Sequence, residues 1–322
     1  MKVITCFSYK GGAGRTTAAA NIAAALASIA ENVGSIDQPL RRRVALIDLD
    51  VFSAGTHRLF GIANAKLEEF VKSGKPCVQD YLREQMAPGL YVEEGGVKLD
   101  DPLMKEFRMQ QGAEGNCHPD FTLFPARPDP DTKFIVQKQH ENVLIELLVE
   151  LEGRSRAFDY VVLDGESGTR QMADIAVRLA DVVLMFFRLT WQHIEGTLNT
   201  AEDFLKKSTY KPFYLIPTCV PLVEEDDHVY DKAALGLEDL VSDTKRIPEA
   251  SRLNYTAEQY RGESGHFWAP DGSGKRVCIH DSLYLKGEER VIVYEARGLK
   301  DRAGRDFYRI AAELDGLLVR SE

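Results

Sequence analysis

The sequence predicts an α/β fold: a three-layer sandwich with a mostly parallel central sheet, helices on both faces and insertions between its elements. Three observations carry that expectation. Apolar runs of strand length recur at 3–7, 44–50, 158–164, 181–187 and 213–218, with helical stretches between them, as in strands buried on both faces of a parallel sheet. The first run turns through three glycines directly into an alanine-rich helix. The second and third runs end in carboxylates, Asp48 and Asp50 in one and Asp164 in the other.

Taken in order, the strand Val3 to Phe7 opens the chain and leads into FSYKGGAGRTT, residues 7–17. A glycine-rich turn between a strand and a helix aims backbone N–H groups and the positive helix end at one point, where a polyphosphate can sit. Gly11, Gly12 and Gly14 let the backbone approach phosphate oxygens and take positive φ. Thr16 falls where the hydroxyl of a P-loop ligates Mg²⁺. Against the pattern G-x-x-x-x-G-K-[ST], Tyr9 replaces the first glycine and Arg15 the lysine, while Lys10 adds a second cation at the loop's entrance.

The helix from Thr16 to Ala30 is followed by a long connection, 31–43, ending in Arg41, Arg42 and Arg43, which reads as a solvated edge. After the strand 44–50 comes a short helix in 54–61, whose His57 is assigned no chemistry. Residues 64–120 read as an insertion: helices at 66–71 and 78–84, a β-like segment at 90–99, then a Gln/Gly-containing loop. A strand at 121–125 and a helix over 131–151 follow, the latter with a core stripe of Phe134, Val143, Leu144, Leu147 and Leu148. The strand 158–164 ends at Asp164 and continues into GESGTR, whose glycines suit a loop that rearranges around nucleotide. A strand at 181–187, a helix at 194–207 and a strand at 213–218 extend the alternation. Residues 223–285 are irregular and read as a second insertion. A last strand at 290–294 precedes a terminal helix, whose apolar spacing through Phe307, Ile310, Ala311, Leu314 and Leu317 fits packing on the sheet.

The motif KGGAGRTT resembles that of the deviant-Walker ATPases of the ParA/MinD class, in a branch reading SYKGG-x-GRT. The resemblance covers residues 1–60, 121–220 and 286–320. It implies an α/β P-loop ATPase that uses ATP and Mg²⁺, dimerises face to face on ATP and recruits a protein partner in that state. Carried over residue by residue, Lys10 is the signature lysine that reaches the partner subunit's nucleotide. Gly11, Gly12, Ala13, Gly14, Arg15, Thr16 and Thr17 hold the nucleotide, with Thr218 against its base. Thr16, Asp48 and Asp164 form the metal shell, Asp164 through a bound water, and Asp50 orients the attacking water. Arg15 departs from the commoner lysine, which bears on hydrolysis more than on binding, because a guanidinium still presents a fork of donors to phosphate. The segment GESGTR departs from the proline-containing switch of the class, and Glu166 is a candidate second water-positioning group.

Composition agrees with this reading. The 322 residues suffice for one domain with insertions; 40 basic against 50 acidic side chains give a net charge of −10, which argues against broad charge-driven nucleic-acid binding. Five scattered cysteines, an odd number, suggest a reducing cytoplasm. No apolar run approaches the roughly 20 residues of a membrane span, and the N-terminal segment lacks signal-peptide organisation. Cys77, Cys117, His118, Cys278 and His280 lack the tight CxxC pairing of a zinc site. Two function classes stand beside the ATP-driven switch. One is an ATP-sensing scaffold with little or no hydrolysis. The other, a bacterial tyrosine kinase, would need a terminal tyrosine cluster, whereas the last tyrosine is Tyr308.

Overall fold

The computed structural model describes residues 1–31, 40–84, 86–98, 121–127, 134–154, 157–168, 170–188, 190–206, 213–219, 278–282 and 301–319. The strand expected at 290–294, most of the segment 223–285, the loop 99–120 and Thr169 lie outside them.

Among the described residues a seven-stranded sheet forms the middle layer. Its strands are β1 (Lys2–Phe7), β4 (Val44–Asp48), β5 (Val97–Lys98), β6 (Phe121–Phe124), β7 (Tyr160–Asp164), β8 (Val182–Arg188) and β9 (Phe213–Thr218). They lie in the order β5-β6-β4-β7-β1-β8-β9. Every pairing is parallel except that of β5 with β6. A small antiparallel pair, β2 (Ala30–Glu31) and β3 (Leu40–Arg41), occupies the long connection before β4.

Side chains alternate between two cores, as the period of two requires. One face of the sheet, with Ile4, Leu46, Val162 and Leu184, packs against α1 (Arg15–Ser28) and the terminal helix α9 (Arg302–Val319). Helix α1 is buried almost all round, from Ala18 to Ala27, because it lies between the sheet and α9. Its run of alanines keeps both neighbours close without loss of helix propensity. The opposite face, with Val3, Ile47, Val161 and Leu163, receives α4 (Val78–Glu84), α6 (Gln139–Gly153) and α7 (Gln171–Leu179). Helix α8 (Trp191–Lys206) covers β8 and β9 on that side. The terminal helix is thus a core helix, and no helix of the described residues is long and apolar enough to cross a membrane.

Several boundaries differ from the sequence expectation. The β-like segment 90–99 is mostly the helix α5 (Pro88–Glu94), with only Val97–Lys98 as strand. Pro88 at the first helical position favours that start, and Tyr91 turns inward to stack on Tyr81 at 4.3 Å between ring centroids. The helix expected from 131 begins at Gln139, after a turn in which the Gln137 N–H donates to His140 Nδ1. Helix α7 was not anticipated between the strands, although Met172, Ile175, Ala176 and Leu179 have helical spacing. The described part of the 64–120 segment packs into the same cores: α3 (Asn64–Lys72), α4 and α5 line them and β5 extends the sheet.

Candidate functional site

Parallel register brings the three acids to one edge. Asp48 pairs level with Asp164, and Cys6, one residue before the end of β1, pairs with Asp164 from the other side. The glycine loop leaves β1 at the same edge. Gly12 and Gly14 have φ of 80° and 74°, conformations that only glycine adopts at little cost. The space where a Cβ would project is open at both. Lys10, Gly11 and Gly12 face solvent, whereas Ala13 is buried.

Arg15, the first residue of α1, is 6% exposed and points into the acids. Its Nε donates to Asp164 Oδ1 at 2.8 Å and one Nη donates to Asp50 Oδ2 at 2.7 Å. The same Nη lies 3.5 Å from Thr16 Oγ1. The guanidinium fork therefore bridges two strand ends, a geometry that a lysine ammonium cannot reproduce. Burial disfavours its charge, but Asp164 and then Asp50 outweigh that effect and hold the arginine firmly protonated.

Asp48 is fully buried and accepts from the backbone N–H groups of Asp50, at 3.1 Å, and Thr56, at 3.3 Å. Burial, then the charges of Asp164 and Asp50, push its carboxyl up to about 8. Thr56 also donates its hydroxyl to Asp164 Oδ2 at 3.1 Å. Asp50 closes the loop that follows it by accepting the Ser53 N–H at 3.1 Å. Thr56, at the start of the short helix α2 (Thr56–Leu59), is a site residue that the sequence reading missed. Its signal was its place eight positions after Asp48, within the segment the motif class already included.

The remaining sequence candidates are distributed around this centre. Glu166 is buried and paired with Arg170; burial raises its carboxyl and Arg170 opposes the shift. The loop 165–168 is pinned to the glycine loop, with Gly165 N–H on the Cys6 carbonyl and Gly168 N–H on the Ser8 carbonyl. Thr218 is buried beneath the loop, its hydroxyl 2.7 Å from the Ala13 carbonyl and 3.1 Å from that of Phe187. That hydroxyl acts on loop backbone in this structure. Lys10 stands apart from the acids and donates its Nζ to Gln192 Oε1 on α8 at 2.8 Å.

A second contact ties the loop entrance to α8. A Cβ on Gly196 would come within 2.1 Å of the Tyr9 ring, so a side chain there requires the ring, which is 40% exposed, to swing aside. Gly196→Ala is expected to cost no more than about 1–2 kcal/mol, since helix propensity opposes the clash, and Tyr9→Ala in the same chain should recover most of it. Thermal melts of the two single variants and the double variant check this, since simple additivity would mean that the two positions do not touch.

Thr16 with the glycine loop and the neighbouring carboxylates suits a nucleotide and Mg²⁺, because Mg²⁺ keeps several waters and takes few direct protein ligands. Among the described residues no three His, Cys, Asp or Glu side chains are arranged to hold an ion by themselves. The donor set fits an ion brought in with phosphate oxygens rather than a protein-only cage.

A family model described as an AAA domain matches residues 1–213. The septum site-determining protein MinD of Bacillus subtilis is 27% identical over 184 residues, covering 57% of this chain and 52% of that protein. MinD of Neisseria meningitidis serogroup B is 28% identical over 185 residues, with the same coverage of 57% and 52%. The chain spans about half the length of these curated relatives. Among solved structures, the MinD cell division protein of Aquifex aeolicus aligns with a TM-score of 0.59 and 20% identity over 98% of both chains. The ATP complex of Cyanothece McdA aligns at 0.60 and 14% identity over 98% of this chain and 96% of that one. At such identities these structures speak to the fold, and the fold is the same three-layer arrangement. With about two thirds of its length matched and the glycine loop and strand-end acids in place, the chain belongs to this AAA-domain family, and its fold is the P-loop α/β fold of the ParA/MinD type.

Proposed function

We propose that the protein is an ATP-binding, slowly hydrolysing dimerisation switch that recruits a protein partner in its ATP state. The observation that carries this reading is the convergence of Thr16, Asp48, Asp50 and Asp164 beside a glycine loop with open positive-φ turns. Gly11 to Thr17 would cradle the phosphates through backbone N–H groups, Thr16 would ligate Mg²⁺, and Asp164, assisted by Asp48, would hold its water shell. Bound Mg²⁺ neutralises charge that develops on the phosphate oxygens. Asp50 would orient the attacking water, and Lys10 would contribute its charge across a two-fold axis. Thr218, through Ala13, would set the shape of the loop from below, with any base contact coming second to that role.

Calorimetry tests the nucleotide chemistry. ATP binding should require Mg²⁺ and weaken in Thr16→Ala, turnover should lie well below one per second as in unassisted switch GTPases, and Asp50→Ala should retain ATP. Equal affinity with and without magnesium would remove the metal from the reading. One observation favours the alternative of an ATP-sensing scaffold: Asp50 already accepts a charged hydrogen bond from Arg15, which competes with a water for the same carboxylate. Single-turnover hydrolysis separates the two readings, since a scaffold releases ATP unchanged.

A further inference from the structure

We propose that Gln79 is a positioning residue for the switch loop around Asp50, clasping that loop to the chain that leaves β6. This inference rests on the reading above that Asp50 orients the attacking water. Gln79 lies in the first turn of α4, inside the segment that sequence analysis left without a role, and is 1% exposed. Its amide is used at both ends. Nε2 donates to the carbonyl of Val51, the residue after Asp50, at 3.0 Å. Oε1 accepts the N–H of Arg127 at 2.7 Å. A donor on one side and an acceptor on the other fix the amide's orientation, and glutamine supplies both without a titrating group.

The rest of α4 holds that amide in place. Asp80 accepts the Cys77 N–H at 3.0 Å and receives two bonds from the Arg127 guanidinium, at 3.1 and 2.5 Å. The Val78 N–H donates to the Pro125 carbonyl at 3.1 Å. The start of α4 is therefore fastened to residues 125–127 by backbone and side chain together. Gln79 extends the fastening to the switch loop. Because Val51 is 1% exposed, no bulk water replaces the amide when it is removed, and the Val51 carbonyl is left unpaired. The loop would then gain freedom at the residue that follows Asp50, and the carboxylate would lose a fixed direction. Both ends of the Gln79 amide are committed to backbone groups, so its effect would fall on turnover rather than on binding.

Two variants test the clasp. Gln79→Leu removes both bonds with little change of volume; Gln79→Glu keeps an acceptor for the Arg127 N–H, and burial favours its protonated form, whose O–H can still donate to Val51. Amide hydrogen exchange of the whole chain, without nucleotide, should rise about ten-fold across residues 50–56 in Gln79→Leu, as expected for the loss of a buried hydrogen bond, and rise less in Gln79→Glu. Exchange in β1 and β7 should stay as in wild type. With Mg²⁺-ATP, kcat should fall several-fold while KM stays within about two-fold, the division expected for lost orientation of a catalytic group. Wild-type exchange across 50–56 in Gln79→Leu would overturn the proposal, as would a raised KM with unchanged kcat. If wild-type protein does not hydrolyse ATP, the ATPase reading fails, while the exchange measurement still decides whether the clasp exists.

Discussion

Lys10→Ala is expected to abolish ATP turnover and to weaken the ATP-dependent dimer while leaving the affinity of a single chain for ATP nearly unchanged. Lys10 leaves the loop ahead of its glycines, and its Nζ is held on α8 by Gln192, not among the phosphate-facing groups of its own subunit. A solvated hydrogen bond of this kind contributes little to stability, so the melting temperature should scarcely move. Across a two-fold axis the same ammonium would meet the partner's phosphates in a site closed to water, where the lower dielectric enlarges its effect on developing charge. The C₂ arrangement supplies the contact twice. Light scattering coupled to size exclusion, in an Asp50→Ala background that retains ATP, should show a dimer with Lys10 and a monomer without it. A Lys10→Ala protein that dimerises and hydrolyses as wild type would end the in-trans assignment.

The second large effect is expected at Arg15, and it begins as an effect on stability. In Arg15→Ala, Asp164, which is fully buried, and Asp50, which is 8% exposed, lose their shared cation. Removing one partner of a buried ion pair typically costs about 3–5 kcal/mol, because the remaining charge stays uncompensated. Thermal unfolding without nucleotide should therefore fall by several degrees or more, and ATP affinity should fall with it. Mg²⁺ alone should restore part of the lost stability in Arg15→Ala and leave wild type nearly unaffected, since without nucleotide the wild-type Asp50 and Asp164 are already paired with Arg15. Arg15→Lys should lie between, because an ammonium restores the charge without spanning both acids. Wild-type melting and unchanged ATP affinity in Arg15→Ala would exclude Arg15 from the site.

These expectations mark the limit of what the sequence made legible. The strands were readable because burial on both faces leaves unbroken apolar runs. VALID and YVVLD therefore announced β4 and β7 to within two residues, and the acids at their ends announced the site. What could not be read was the direction of side chains. A guanidinium five bonds from its Cα serves a phosphate or a carboxylate equally well, and only the register of Asp48 with Asp164 shows the acids within its reach. The same holds for Thr218, whose position at the end of β9 was legible while its use on the Ala13 carbonyl was not. Segment 64–98 was legible only in part. The helices expected at 66–71 and 78–84 are α3 and α4, whereas α5 and the use of α4 depend on contacts with α6 and with the chain after β6, as made by Tyr81 and Gln79, and such contacts leave no local periodicity.

The part of this chain that the family model matches is smaller than the part that encloses its core. The family match stops at residue 213, yet β9, whose Thr218 holds the glycine loop, begins there. Beyond it, the Ile279 N–H caps the Pro217 carbonyl, and Phe307, Ile310 and Leu314 of α9 cover the alanine face of α1. A fragment cut at the limit of the match would bare that face to water and leave the loop without its underside support. Mutational surveys confined to 1–213 would then score as loss of activity what is loss of a lid on the core.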